Sequence, residues 1–162
     1  MKIVPVESPA HLEEARRLLE EYGASLPPEL WFEDFRLEVD GLPGDYGPPF
    51  GRLLLAITDD GAAVGCVALR PLQPGIGEMK RMFVRPAHRG FGIGKKLAVT
   101  ILGEAAKIGY ERIRLDTAPM MLEALRLYEA LGFRRIEPYR HYPVDEVVFM
   151  EIALNTIRGN LQ

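Results

Sequence analysis

The chain has 162 residues, with 20 Lys and Arg against 23 Asp and Glu, 48% apolar side chains and a formal net charge of −3. That length suits one domain, residues 1–162, with enough apolar material to fill a core without staples. The lone cysteine, Cys66, excludes an internal disulfide and a cysteine-rich zinc site, so no metal is expected and a reducing, cytoplasmic setting fits. No apolar run approaches the roughly 18 residues of a membrane span, and the N-terminus lacks the apolar stretch of a signal peptide, so no membrane association is expected.

Lys2 to Val6 predicts a short strand, after which Ser8-Pro9 starts a helix with Ser as N-cap and Pro at the first helical position. Leu12, Ala15, Leu18, Leu19 and Tyr22 form its apolar stripe, and Gly23 is read as its end. Beyond Pro27-Pro28, a shorter and less regular helical pattern uses Leu30, Trp31, Phe35 and Leu37. Residues 41–51 hold four Gly and three Pro, which predicts a loop. From Arg52 the pattern turns to β. Residues 53–57 and 62–69 read as an antiparallel pair around Asp59-Asp60-Gly61, and a looser link through Pro71 to Gly77 leads to a third strand over 78–84. A helix follows with Leu97, Ala98, Ile101, Leu102, Ala105 and Ile108 inward and Gly109 as its cap. The remaining elements are a strand over 112–116, a helix over about 119–131 closed by Gly132, and strands near 133–136 and 147–154, with a tail from Asn155 expected to fray. The order is β-α-α-β-β-β-α-β-α-β-β, a mixed sheet with helices on its faces.

The small net charge hides an uneven distribution. Between Met79 and Gly103 there is no acid, whereas Lys80, Arg81, Arg85, Arg89, Lys95 and Lys96 give +6, leaving 14 − 23 = −9 for the rest. A basic block in an acidic chain suits a compact anion better than a long nucleic acid, which the acidic remainder would repel. Inside the block, Arg89-Gly90-Phe91-Gly92-Ile93-Gly94-Lys95 connects a strand to a helix, where free backbone N–H groups bind phosphate oxygens. The spacing is that of neither a Walker A loop nor the dinucleotide fingerprint GxGxxG; it is R-x-x-G-x-G.

Residues 78–97, EMKRMFVRPAHRGFGIGKKL, resemble the strand-to-helix acetyl-CoA motif of the GNAT family of N-acetyltransferases. LDT at 115–117, LYEALGF at 127–133, LPGDYGPPFGRLLLA at 42–56 and CVALRPL at 66–72 extend the likeness to small, single-domain members. The resemblance implies an α/β (α+β) fold with a mixed, mostly antiparallel central sheet and helices on both faces. It implies acetyl-CoA as acetyl donor, with Arg89, Gly90, Phe91, Gly92, Ile93, Gly94 and Lys95 around the pyrophosphate and backbone groups of Met82, Phe83 and Val84 along the pantetheine arm. A backbone N–H there would also steady the thioester oxygen as charge develops, typically worth about 2.7–4 kcal/mol per donor.

By the same resemblance the acetyl group passes directly to an amine without an enzyme nucleophile, and Cys66 reads as a small core residue. Tyr128 of LYEALGF matches the family's acid, which protonates the leaving thiolate. Glu78 is the preferred base for the incoming ammonium, ahead of Asp116, His141 or a water relay. Met121 departs from the pattern, since related proteins commonly carry Asn seven residues before the tyrosine. The expected partner is a small amine or peptide acceptor, with no nucleic acid; a homodimer is compatible with the family. Trp31, Phe32, Phe35, Tyr46, Phe50, Tyr139 and Tyr142 beside Glu29, Glu33, Asp34 and Asp45 would suit a cationic amine. The rival reading is a non-catalytic acyl-CoA sensor, and Tyr128 separates the two.

Overall fold

The computed structural model describes residues 1–27, 35–142 and 146–157. In chain order they form β1 (Lys2–Pro5), α1 (Pro9–Ser25), α2 (Phe35–Asp40), β2 (Arg52–Ile57), β3 (Ala63–Gln73), β4 (Ile76–Val84) and α3 (Ile93–Ile108). β5 (Arg112–Thr117), α4 (Leu122–Leu131), β6 (Arg134–Ile136), β7 (Val148–Ala153) and α5 (Leu154–Ile157) complete the order. The strands make one sheet, ordered β1-β2-β3-β4-β5-β7-β6, in which every neighbouring pair is antiparallel except β4 with β5.

Alternation along β2 and β3 sets the layers, because successive strand side chains point to opposite faces. Leu53, Leu55, Cys66 and Ala68 are buried with Ala15, Leu18 and Leu19 of α1 and Val39 of α2. Leu54, Val67 and Leu69 face the other way, into a core with Leu97 and Ile101 of α3 and Leu125 and Tyr128 of α4. The sheet is therefore mixed and mostly antiparallel with helices on both faces, as the sequence implies.

Several details differ from the sequence reading. α1 runs two residues beyond Gly23, because this glycine is a packing position: a Cβ there would lie 2.6 Å from Phe35 Cε1. α2 starts at Phe35, and its inward residue is Val39, while Leu37 is 71% exposed. The expected contributions of Leu30 and Trp31 lie outside the described residues. β3 continues through Pro71 to Gln73 and absorbs the proline in a register shift, so the link to β4 is tight instead of loose. The 41–51 segment contains a short 3₁₀ turn, Gly44–Tyr46, that buries Tyr46 in the α1-side core. The tail begins with one helical turn, α5.

Two features of β4 position the site. Its pairing with β5 covers Ile76↔Arg112, Gly77↔Ile113 and Glu78↔Arg114 only, so the two strands part after Glu78. Within the parted stretch the register with β3 slips by one, between Cys66↔Phe83 and Ala68↔Lys80, and Arg81 sits at φ 59. That is a β-bulge, which adds a residue to one strand and turns it away from its straight course.

Candidate active site

At the far end of β4 a 3₁₀ turn, Pro86–His88, leads into the glycine segment. Gly90 and Gly92 have φ of 86° and 80°, a left-handed backbone that side chains resist, and Gly92 is the N-cap of α3 without any side-chain cap. Lys96 N–H donates to the Gly92 carbonyl at 3.1 Å as the first bond of the helix. The N–H groups of Ile93, Gly94 and Lys95 therefore have no intrahelical acceptor, and they carry the positive end of a 16-residue helix. A Cβ at Gly90 or Gly92 would meet no protein atom within 4 Å, so the space before the loop is open.

That space belongs to a cleft of about 610 Å³ running from the glycine segment to the parted strands. Met82, Phe83 and Val84 line it from β4, and Ala124 and Leu127 from α4. Arg89 and Lys95 add positive charge at its mouth, where Arg89 Nε donates to the Val84 carbonyl at 2.8 Å. Each residue expected to hold the coenzyme lines this cleft except Phe91, whose side chain is 77% exposed and leaves only its backbone to contribute. A long slot, anionic-ligand donors at one end and an unpaired strand edge along it fit acetyl-CoA.

A second, smaller cavity of about 70 Å³ opens where β4 leaves β5. Tyr22, Leu26 and Met121 line both cavities, so one wall is continuous between them. Around the small cavity the charges are heavily paired. Arg81 makes two bonds to Glu38 of α2, at 2.6 and 3.0 Å, under the rings of Tyr22 and Phe35. Asp116 of β5 accepts from Arg140 at 3.0 Å and from the Tyr142 hydroxyl at 2.8 Å. Lys80 has no ion pair or hydrogen bond among the described residues, and burial, with Arg81 next, lowers its pKa to about 8.

Glu78 is only 1% exposed and lies inside this network. Its Oε1 accepts from Arg70 Nε at 2.9 Å and from Arg140 Nη2 at 3.3 Å; its Oε2 accepts from Arg140 Nη1 and the Tyr139 hydroxyl, both at 2.8 Å. Burial favours its neutral form, but Lys80, Arg140 and Arg70 outweigh burial and hold the carboxyl below its ordinary range. Both oxygens are occupied by donors, an arrangement that disfavours the proton-abstracting role expected for Glu78. His141 is exposed.

Tyr128 is 5% exposed, packed edge-on against Phe133 at 5.7 Å, one position along α4 from cleft-lining Leu127. Its hydroxyl has no hydrogen-bond partner among the described residues. Burial, then Tyr22 and Asp116, raise its pKa, so it stays protonated at ordinary pH, and the same causes make that proton harder to release. Cys66 is buried, its thiol donates to the Arg81 carbonyl at 3.3 Å, and burial pushes it up to about 12, which leaves it unreactive.

Sequence reasoning places the glycine segment and the β4 edge together, as the structure does. It misses Arg70 and Arg140, which bring Glu78 and Asp116 into one network. The only signal for Arg140 is its place between Tyr139 and Tyr142, both of which the sequence assigns to an acceptor wall. Of the other residues assigned there, Glu29, Trp31, Phe32, Glu33 and Asp34 lie outside the described residues, Tyr46 is core, and Phe50 is 61% exposed.

A strand splayed from its parallel neighbour beside a glycine-capped helix forms the slot that the sequence resemblance implies for a coenzyme A-dependent acyltransferase. Residues 12–133 match the model of the Acetyltransferase (GNAT) family. An uncharacterised N-acetyltransferase of Schizosaccharomyces pombe is 38% identical over 156 residues, covering 96% of each chain. Among solved structures, a GNAT-family acetyltransferase of Staphylococcus aureus superposes with a TM-score of 0.78 at 23% identity, over 94% of this chain and 98% of that one. A phosphinothricin acetyltransferase of Sinorhizobium meliloti, solved with acetyl-CoA, gives 0.71 at 18% identity, over 94% and 87%. The chain belongs to the GNAT family and is an acetyltransferase. Among the described residues no helix is long and apolar enough to cross a membrane.

Proposed function

We propose that this chain, acting as a single catalytic domain, transfers the acetyl group of acetyl-CoA directly to a primary amine of a small molecule, amino acid or peptide. The observation that carries the reading is the parting of β4 from β5 after Glu78, which joins the long cleft to the small polar cavity along one wall. Bound in the cleft, acetyl-CoA supplies an activated thioester.

The protein's own groups divide the remaining work. The N–H groups of Ile93, Gly94 and Lys95, with the Arg89 and Lys95 side chains, grip the pyrophosphate. The open β4 edge at Met82, Phe83 and Val84 orients the pantetheine arm and directs the thioester toward the small cavity. Tyr128, kept protonated by burial, gives the proton that the departing thiolate needs, and the proton lost by the attacking nitrogen leaves through a water relay that restores Tyr128. Glu78 acts as a positioning residue: it fixes Arg140 and Tyr139 at the acceptor end. The inert Cys66 thiol fits direct transfer without a covalent enzyme intermediate.

Following thiol release from acetyl-CoA over a panel of amines, amino acids and peptides tests this reading. Turnover on at least one amine is expected. Micromolar acetyl-CoA binding with no turnover on any of them would replace it with a sensor.

A further inference from the structure

The ion pairs around the small cavity do not balance. Four cations converge there, Arg70 of β3, Lys80 and Arg81 of β4 and Arg140 from the β6–β7 connection, against three anions, Glu38, Glu78 and Asp116. Arg81 is matched by Glu38, and Arg70 and Arg140 are matched by Glu78 and Asp116. Among the described residues the charge left over, 4 − 3 = +1, is Lys80. It is half-buried and lines the cavity with its ammonium unpaired among the described residues.

We propose that the acceptor amine carries a carboxylate, and that Lys80 binds it in the small cavity. The inference rests on the acetyltransferase reading above and names its substrate class. Glu78 and Asp116 favour the Lys80 charge from a distance, but burial and the neighbouring Arg81 and Arg70 oppose it, and an anion brought by the substrate into direct contact would offset them. One surplus charge and about 70 Å³ match a carboxylate, whereas a phosphate dianion would bring two charges to one cation. A polyamine would add cations to a site already in excess of them. Glu78 and Asp116, the acids found at this cavity, already have arginine partners; of the acids behind the sequence expectation of a cationic amine, Glu29, Glu33 and Asp34 lie outside the described residues. The continuous wall of Tyr22, Leu26 and Met121 leads from this cavity to the cleft, so an amino group beyond the carboxylate points toward the thioester.

Lys80 also gives the proposal a signature that does not depend on turnover. The groups facing it are Arg70 of β3, Glu78 and Arg81 of β4, Asp116 of β5, and Tyr22 and Tyr142 across the cavity. With its pKa lowered to about 8, Lys80 is mostly neutral at pH 9, and a bound carboxylate raises that value again. At pH 9 Lys80 therefore takes up a proton on binding, read as the difference between the parent and Lys80→Met because the amino acid's own ammonium is common to both.

The test has two arms on the CoA-bound protein. The first compares kcat/KM for amino acids with that for their amides and for spermidine. Carboxylates are expected to lead by about 10- to 100-fold, the range of a charged hydrogen bond. In Lys80→Met the lead is expected to shrink through KM, and Lys80→Arg is expected to retain part of it. The second arm titrates amino acids calorimetrically at pH 9 in two buffers of different ionisation heat. More proton uptake is expected in the parent than in Lys80→Met, with CoA binding confirming that the variant is folded. Spermidine, amides or aminoalkyl phosphonates matching the carboxylates would overturn the inference while leaving the acetyltransferase reading intact. With no turnover on any amine the catalytic reading fails instead, and the calorimetric arm alone decides the carboxylate: no binding, or binding with equal proton uptake in the parent and Lys80→Met, overturns it.

Discussion

The two ends of the cleft hold charge by different means. At the glycine end, backbone does the work: N–H groups of Ile93, Gly94 and Lys95 stand open because Gly90 and Gly92 adopt left-handed conformations, and residues 79–103 contain no acid to compete. At the end proposed for the acceptor, side chains from four strand and loop segments form an ion-pair network around Lys80, whose ammonium has no ion pair or hydrogen bond among the described residues. A backbone site asks for a short, contiguous stretch with particular φ values. A side-chain site can be assembled from anywhere, and it responds to pH and to the loss of any one member.

The largest expected effect would break the glycine end. Gly92→Asp places a side chain at φ 80 and a carboxylate where the anion is held, so acetyl-CoA affinity is expected to fall about 1,000-fold or more. Calorimetric titration checks it, with circular dichroism to show an unchanged fold. Binding within tenfold of the parent would mean that the pyrophosphate lies elsewhere. Next is the removal of Glu78 from the other end. Because Glu78→Ala leaves Arg70 without its carboxylate and Arg140 with Asp116 alone, a loss of about 1.5–3 kcal/mol in urea unfolding is expected. A loss below about 1 kcal/mol would show the network to be solvated and loose.

Tyr128→Phe addresses the proposed acid, which lies beside cleft-lining Leu127. The substitution keeps the ring against Phe133 and deletes a hydroxyl without a partner among the described residues, so stability should hardly change, while kcat is expected to drop about 100-fold. Unchanged kcat with chemistry shown to be rate-limiting would remove Tyr128 from the reaction.

The contrast between the ends also explains what is legible in the sequence. Residues 78–97 carry the β4 edge, the glycine turn and the start of α3 in one run, so motif and spacing are enough to locate the coenzyme end. The strands are legible too, as the continuous apolar runs Leu53 to Ile57 and Cys66 to Leu69, but which residue faces which helix layer is not, because both faces are buried and apolar. Nor is the acceptor end legible, because Arg70, Glu78, Asp116 and Arg140 are up to 70 positions apart and nothing local marks them as neighbours. The position of the bulge is hidden for a related reason: Arg81 adopts a positive φ that an arginine does not signal, and it pairs there with Glu38 from a different element. Glu78 illustrates the consequence. Its residue type and strand position suggest a base, and only its partners reveal that both oxygens are occupied.

Acid should separate the ends with the smallest effect of the four. Burial alone would raise the pKa values of Glu78 and Glu38, but their arginine and lysine neighbours lower both below the ordinary 4.5. A carboxyl depressed on folding contributes stability that is fully present above its unfolded pKa and is lost as pH falls through the folded value. Below about pH 4.5 the unfolded chain binds more protons at these two positions than the folded chain does, so stability declines with falling pH. The loss should begin locally, because Glu78 and Glu38 hold Arg140 and Arg81 at the acceptor end, whereas residues 79–103 have no carboxyl to protonate. Amide hydrogen exchange at pH 4 and pH 7, corrected for intrinsic rates, is expected to lose protection around residues 78–82 and 139–142 while α3 keeps its own. Equal loss across α3 would mean that the two ends open as one unit, and the division between backbone-held and side-chain-held charge would then have no counterpart in the dynamics of the molecule.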